Sequence, residues 1–285
     1  MSKLLVGLIG AGIQRSLSPA LQEEEARQHG LRLHYQLIDL EGSKRGTDAL
    51  PALIEAVRIM GFAGLNITYP CKQLVMPLLD EVSAQAKSIG AVNTVVRSGD
   101  RLVGHNTDAP GWAWGFKRAL PKADLSRVVL LGAGGAGAAV GYAALDLGVS
   151  ELMLFDAEPS RAAALASRLG AQFPNQKTFQ VHNLKESVQD ATGLINCTPI
   201  GMMGHPGMPL PAQLLRPAMW VSDIVYVPLE TELLKSAKRA SCAIMDGGHM
   251  NVGQALGGFK LFTGREADPA RMDAHFRRLV AKEIS

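Results

Sequence analysis

The chain has 285 residues, a length that favours two domains of ordinary size over one large domain. Hydrophobic residues make up 47% and charged residues 19%, a balance that excludes a disordered chain. The formal net charge of +3 is small and the basic residues are scattered, so we expect no nucleic-acid partner.

The cysteines and the apolar runs limit the cellular compartments in which we expect the protein. Cys71, Cys197 and Cys242 lie far apart, and no Cys/His group has zinc-ligand spacing, so we expect no metal site. Unpaired cysteines of this kind fit a reducing, cytoplasmic environment. No apolar run approaches the roughly 20 residues that cross a bilayer, so we expect no membrane partner.

Strand-like apolar runs alternate with helix-like segments in the first part of the chain, which predicts an α/β unit. Ser18 is expected to cap the first helix, with Pro19 at its first position. We predict strands at residues 4–9, 34–40 and 64–68, helices at 19–30, 50–60 and 75–89, and a hairpin over 91–103.

A second alternating series predicts a second α/β unit with a parallel sheet, joined to the first by a helix near 109–120. The tail from Met250 is expected to be helical and to return to the first unit. We predict strands at residues 127–131, 151–155, 193–196, 220–225 and 243–245, and helices at 137–147, 160–169 and 232–240.

The turn after the strand at 127–131 carries a dinucleotide signature. Gly132, Gly134 and Gly137 have the G-x-G-x-x-G spacing, which allows a tight turn, close approach of a pyrophosphate and close packing of helix on strand. The next strand ends in Asp156, where a carboxylate accepts hydrogen bonds from ribose hydroxyls and repels a 2′-phosphate. Arg161 could meet a phosphate, but two acids precede it, so we predict NAD as the cofactor.

The turn after the first strand has Gly10 and Gly12 but lacks the third glycine. Ser16 and Ser18 follow at the start of the next helix. Two hydroxyls at this spacing suit either helix capping or a polyhydroxylated ligand, and the motif alone favours capping.

Three polar corners precede the second glycine loop, at residues 65–72, 90–94 and 104–108. Each by itself is typical of an ordinary Asx or Ser/Thr turn. Together they place Lys72 and Asp108 near strand ends, where open α/β sheets bind ligands, so we interpret them as parts of one site.

These motifs, taken in order over nearly the whole chain, resemble the shikimate/quinate dehydrogenase family. The matching motifs are Ser16-x-Ser18-Pro19, Asn66-x-Thr68-x-Pro70-x-Lys72, Gly90-Ala91-x-Asn93-Thr94, Gly104-x-Asn106-Thr107-Asp108, the glycine loop at Gly132, Asn196-x-Thr198-Pro199-x-Gly201-Met202, Asp223-x-x-Tyr226-x-Pro228 and Met250 to Gln254.

The resemblance implies an enzyme that moves a hydride between a nicotinamide and a cyclic polyol carboxylate, with Lys72 and Asp108 as the catalytic pair. The implied substrate residues are Ser16, Ser18, Thr68, Asn93, Tyr226 and Gln254, with Asn66 as a support. The implied cofactor residues are Gly132, Ala133, Gly134, Gly135, Ala136, Gly137, Asp156 and Arg161, with Thr198, Met202 and Val225 beside the nicotinamide.

The resemblance also implies a domain plan: a substrate domain over residues 1–108, a Rossmann-type NAD domain over 109–245, and C-terminal helices over 246–285 that pack on the substrate domain. The active site is expected in the cleft between the two domains. The oligomeric state is left as monomer or homodimer.

Some positions depart from the family pattern. Arg15 stands where the family often has His, Gln22 and Glu23 replace His-Asn, and Asn251 replaces an aliphatic residue. Because the basic NADP motif is also absent, the chain is most similar to the NAD-preferring quinate/shikimate branch. An aminoshikimate-type dehydrogenase and a non-catalytic ligand sensor are the alternatives.

The residues leave the proton-transfer group open. Burial would bring the pKa of Lys72 toward neutrality, whereas a nearby carboxylate favours the ammonium. Either Lys72 acts alone, or Lys72 and Asp108 relay the proton as a coupled pair.

Overall fold

The computed structural model describes residues 3–283, which form two compact units. The first unit contains residues 3–107 and the segment Gln254–Leu279. The second contains Asp108–Gly253 and residues 280–283. Among residues 3–283, no helix is long and apolar enough to cross a membrane.

A six-stranded mixed sheet forms the centre of the first unit, in the order β2-β1-β3-β5-β6-β4. β1 pairs in parallel with β2 and β3, whereas the predicted hairpin is confirmed as the antiparallel pair β5 and β6. The strands are β1 (Lys3–Gly10), β2 (Arg32–Asp39), β3 (Gly64–Ile67), β4 (Glu81–Val82), β5 (Thr94–Ser98) and β6 (Arg101–His105).

The helices of this part of the chain differ from prediction in two places. The predicted cap at Ser18 is wrong: the N-cap is Leu17 and makes no side-chain cap bond. The helix predicted over residues 75–89 is interrupted, because Glu81–Val82 pairs with β6 and Ser83 caps a new helix. The helices are α1 (Ser18–Gln28), α2 (Leu50–Met60), α3 (Cys71–Leu74) and α4 (Ala84–Ile89).

The second unit has a six-stranded, fully parallel sheet in the order β12-β11-β10-β7-β8-β9. This is the doubly wound order of a dinucleotide-binding fold, in which the strand order reverses between β7 and β10. The strands are β7 (Arg127–Leu131), β8 (Glu151–Phe155), β9 (Lys177–Gln180), β10 (Gly193–Asn196), β11 (Trp220–Asp223) and β12 (Ala243–Met245).

Five helices accompany this sheet in chain order. The sequence prediction missed β9 and α8, since a four-residue polar edge strand and a six-residue helix leave no clear periodicity. The helices are α5 (Asp108–Ala119), α6 (Gly135–Asp146), α7 (Pro159–Gln172), α8 (Leu184–Gln189) and α9 (Glu232–Arg239).

The last two helices are α10 (Gly247–Thr263) and α11 (Pro269–Glu283). Phe262 of α10 packs into the apolar cluster of the first unit, which includes Val6 and Leu8 of β1. Arg271 of α11 donates two hydrogen bonds, of 2.8 and 2.5 Å, to the buried carboxylate of Glu25 on α1. These contacts join both helices to the first unit, while the domain bounds of 1–108, 109–245 and 246–285 stay a prediction.

Candidate active site

The serine segment follows β1. Ser16 Oγ accepts the backbone N–H of Ser18 at 3.3 Å, and the N–H of Ser16 donates to the carbonyl of Ile13 at 2.9 Å. Ser18 is the first residue of α1 and not its N-cap, whereas Ser16 Oγ accepts one N–H of the first turn. A serine hydroxyl that accepts one bond still has its own O–H to donate.

The segment that carries Lys72 lies beside this loop. The N–H of Ala11 donates to the carbonyl of Tyr69 at 2.9 Å, and a Cβ at Gly10 would clash with the side chain of Thr68. Lys72 is half-buried on α3, and its carbonyl accepts the N–H of Val92 at 2.8 Å. The first and second polar corners are thus joined through the backbone.

Four buried polar side chains connect all three polar corners. Asn66 Nδ2 donates to Thr94 Oγ1 at 3.0 Å, and Thr94 Oγ1 donates to Asn93 Oδ1 at 3.0 Å. Asn93 Oδ1 also accepts the N–H of Thr107 at 2.7 Å. The corners that the sequence interpretation grouped together therefore form one hydrogen-bonded network.

Tyr35 is a supporting residue that sequence reasoning missed. Its hydroxyl donates to Asn66 Oδ1 at 2.7 Å, and the ring is 4% exposed. This bond orients the Asn66 amide so that Nδ2 faces Asn93 and Thr94. Tyr35 lies on β2, two strands from β3, so only the sheet order could have indicated its role.

Asp108 directly follows Thr107 and begins α5, with 4% of its surface exposed. Lys72 belongs to the first unit and Asp108 to the second, and their pairing stays a prediction. His105, three residues earlier, has a pKa lowered by burial, against the smaller opposing charge of Glu81. Its neutral ring contributes no charge to this corner.

The second glycine loop has the shape that a dinucleotide needs. A Cβ at Gly137 would clash with the carbonyl oxygen of Gly132, and a Cβ at Gly132 would lie 2.9 Å from the Cys197 carbonyl. In contrast, no heavy atom lies within 4 Å of a Cβ built at Gly134, the N-cap of α6. The tight positions pack helix on strand, and the open one leaves room for a pyrophosphate at the helix N-terminus.

Asp156 lies at the end of β8, beside this loop. Its Oδ2 accepts the N–H of Ala133 at 2.7 Å, and its Oδ1 accepts the N–H of Glu158 at 2.8 Å. Glu158 in turn holds two polar neighbours: Ser160 Oγ donates to it at 2.9 Å, and Arg161 Nε lies 2.7 Å from its second oxygen. Arg161, the arginine that the sequence offers to a 2′-phosphate, therefore already has a carboxylate partner.

A second polar network lies where β10 and β11 end. Thr198 Oγ1 donates to Asn196 Oδ1 at 2.6 Å, and Asn196 Nδ2 donates to the buried carboxylate of Asp223 at 3.0 Å. Burial raises the pKa of Asp223 to about 6, although Thr231, Val225 and Asn196 all donate to it and act in the opposite direction. This network fixes Thr198 next to the turn at Gly132.

The remaining predicted residues are dispersed. Met202 is exposed in the loop after β10, and Val225 is buried with its N–H bonded to Asp223. Tyr226 bonds to the Asn251 side chain, and burial raises the pKa of its hydroxyl despite that bond. Gln254 is half-buried on α10 and belongs to the first unit, whereas Tyr226 belongs to the second.

A doubly wound sheet with this glycine loop, preceded by a mixed α/β unit, defines the class as a two-unit protein with a dinucleotide-binding fold. A family model described as the shikimate dehydrogenase substrate binding domain matches residues 8–95. The shikimate dehydrogenase (NADP(+)) of Streptomyces avermitilis is 53% identical, over 97% of this chain and 96% of its own. The chain belongs to the shikimate dehydrogenase family.

Other relatives differ in cofactor. The quinate/shikimate dehydrogenase (NAD(+)) of Corynebacterium efficiens is 44% identical, over 97% of this chain and 98% of its own. The solved quinate dehydrogenase of Corynebacterium glutamicum in complex with NAD has a TM-score of 0.91 at 43% identity and covers 97% of this chain and 100% of that one. The Thermus thermophilus shikimate 5-dehydrogenase in complex with NADP(H) and shikimate has a TM-score of 0.85 at 35% identity, with 97% and 99% covered.

Proposed function

We propose that the protein is an NAD-dependent dehydrogenase that interconverts quinate or shikimate and the corresponding 3-dehydro ketones. The observation that carries the choice of NAD is the pair of carboxylates after β8. Asp156 is available to ribose hydroxyls and would repel a 2′-phosphate, and Glu158 pairs with Arg161, the basic residue that could otherwise meet that phosphate. The absence of disulfides among the three cysteines supports a reducing, cytoplasmic location.

The residues of this chain supply binding and proton transfer. Ser16 and Ser18 hold the substrate carboxylate, and Thr68 and Asn93 contact the ring hydroxyls. In the oxidation direction, the O–H bond of the substrate breaks and its proton passes to the Lys72/Asp108 pair. A nicotinamide held beside Thr198, Met202 and Val225 would supply the acceptor for the hydride that leaves the hydroxyl-bearing carbon, and the donor of that hydride in the reverse direction.

Steady-state kinetics on quinate and shikimate, each with NAD and with NADP, test this proposal. We expect turnover of both acids and a kcat/KM for NAD at least about tenfold above that for NADP, about 1.4 kcal/mol of discrimination. The Asp156→Ser variant should narrow this ratio, because it removes the ribose acceptor and one negative charge. Ser160→Ala, which removes a neighbouring hydroxyl but no charge, is the matched control.

A preference for NADP in the parent protein, or an unchanged ratio in Asp156→Ser, would contradict the choice of NAD. Turnover of an amino-substituted cyclic acid alone would contradict the choice of substrate. No turnover with any of the acids would favour a ligand sensor.

A further inference from the structure

Asp39 is a half-buried acid that the proposed function does not use. It is the last residue of β2 and pairs in register with Gly10, the last residue of β1. The chain from Gly10 leads directly into Ser16 and Ser18. Asp39 therefore faces the start of the segment that is proposed to hold the substrate carboxylate.

The Asp39 carboxylate accepts four hydrogen bonds. Oδ1 accepts the N–H groups of Gly12 at 2.9 Å and Glu41 at 3.0 Å. Oδ2 accepts the N–H of Ile13 and the side-chain amide of Gln14, both at 3.1 Å. Burial by itself would raise the pKa of Asp39, but these bonds outweigh it and hold the pKa below its usual value.

Asp156 makes a related arrangement in the second unit. Asp39 is the last residue of β2 and Asp156 directly follows β8, and each aspartate accepts the N–H of a glutamate two residues ahead. Each also accepts an amide from the glycine turn opposite. At Asp39, however, the side-chain amide of Gln14 donates as well. The protein itself therefore supplies the donor that a ribose hydroxyl is proposed to supply at Asp156.

A continuous set of hydrogen bonds runs from Asp39 to the serines. Asp39 accepts the N–H of Ile13, the carbonyl of Ile13 accepts the N–H of Ser16 at 2.9 Å, and Ser16 Oγ accepts the N–H of Ser18. Gly12 has φ of +68°, so the turn requires a left-handed residue that the carboxylate then holds. Loss of the bond from Ile13 to Asp39 would loosen this turn, and with it the bonds that hold Ser16 and Ser18.

We propose that Asp39 is a positioning residue that preorganises the Ser16–Ser18 segment for a carboxylate ligand, an inference that rests on the proposed function. Asp39 contacts no substrate and moves no proton. Because Asp39 keeps the serine segment ordered before the acid binds, less conformational entropy is lost on binding. Asp39 therefore affects the affinity for the acid and not the affinity for the cofactor.

The test combines hydrogen exchange with kinetics on Asp39→Asn. The asparagine side chain has nearly the same volume as the aspartate, but its NH₂ group is a donor and faces the N–H donors that Asp39 accepts. The turn therefore loosens while the fold persists. We expect the amides of Gly12 and Ile13 to exchange faster than in the parent protein. We also expect the KM for shikimate and quinate to rise about tenfold while the KM for NAD stays within about twofold.

Glu41→Gln is the matched control, since it makes the same charge change two residues away and leaves every bond to Asp39 intact. It should leave both exchange and KM at parental values. Unchanged exchange of Gly12 and Ile13 in Asp39→Asn, or a KM for the acids within about twofold, would overturn the positioning role. If the parent protein turns over neither acid, the proposed function fails and the exchange measurement alone decides whether Asp39 holds the segment.

Discussion

Lys72 is the residue whose replacement should most directly test the proposed proton transfer. It is half-buried on the short helix α3, and its carbonyl is tied to the corner that carries Asn93. We expect Lys72→Ala to lower kcat by about 10²- to 10⁴-fold, the usual contribution of a general acid/base group. The melting temperature and the affinity for NAD should stay unchanged.

Gln73→Ala, on the exposed side of the same helix, is the control and should retain parental kcat. Near-parental turnover of Lys72→Ala at every pH would exclude Lys72 as the proton-transfer group. An equal loss of kcat in Lys72→Ala and Gln73→Ala would indicate disruption of α3 instead.

Two glycines of the same loop should respond oppositely to the same methyl group. Gly137→Ala places a Cβ against the carbonyl of Gly132, so we expect a lower melting temperature and loss of NAD binding. Gly134→Ala places its Cβ in open space, so we expect a parental melting temperature and weaker NAD binding. Thermal unfolding and a fluorescence titration with NAD separate these effects, and equal melting temperatures for the two variants would contradict the packing argument.

At the level of elements, buried charge ties α1 to α11. Glu25 is 2% exposed and is bonded to Arg271 and to the N–H of Asp268. Burial alone would raise the pKa of Glu25, but these bonds outweigh it and keep the pKa below its usual value. A carboxylate with a lowered folded-state pKa stabilises the fold above its unfolded pKa, and this stabilisation is lost as pH falls through the folded pKa.

We expect Arg271→Ala to lower the free energy of unfolding at pH 7 by about 3 kcal/mol, because it leaves the Glu25 carboxylate buried without its cation. The deficit should shrink as the pH falls below the ordinary pKa of a glutamate, because protonation of Glu25 removes the charge that Arg271 compensates. Urea unfolding followed by circular dichroism between pH 3.5 and 7 measures both effects. Arg278 is exposed on the same helix, so the free energy of unfolding of Arg278→Ala should differ from that of the parent by less than about 0.5 kcal/mol. A deficit in Arg271→Ala that stayed constant with pH would contradict the role of Glu25.

How well an element could be predicted from sequence depended on whether its cause was local. α2 matches its prediction over Leu50–Met60, because an amphipathic pattern ends at Gly61, whose φ is +75°. β4 was missed, since Glu81–Val82 is a strand only through its pairing with β6.

The site divides in the same way. Residue types at strand ends indicated Asn66, Asn93 and the glycine loop, whereas Tyr35 depends on sheet order and Asp39 on the register of β2 against β1. Long-range pairing of this kind leaves no periodic signal in the sequence.

On the scale of the whole molecule, the two units give separate signals. All three tryptophans, Trp112, Trp114 and Trp220, lie in the second unit, so their fluorescence reports on that unit. NAD at about 100 times its Kd adds about 2.7 kcal/mol of stability. We expect the fluorescence-detected midpoint to rise by roughly 5 to 10 °C.

Shikimate without cofactor should instead slow hydrogen exchange in the first unit and shift the tryptophan midpoint much less. The comparison of the two ligands is its own control. An equal shift of the tryptophan midpoint by shikimate alone would contradict binding of the acid to the residues of the first unit.

The division of the first unit between two stretches of chain has a consequence for synthesis on the ribosome. About 150 residues separate Thr107 from Gln254, so at about 5 to 20 residues per second roughly 7 to 30 seconds pass between these stretches. During that interval Val6 and Leu8 lack Phe262, and Glu25 lacks Arg271. The nascent chain therefore exposes an apolar sheet face and an unpaired acid while the main stretch of the second unit, Asp108–Gly253, can already fold, which makes this the stage at which chaperones and aggregation compete for it.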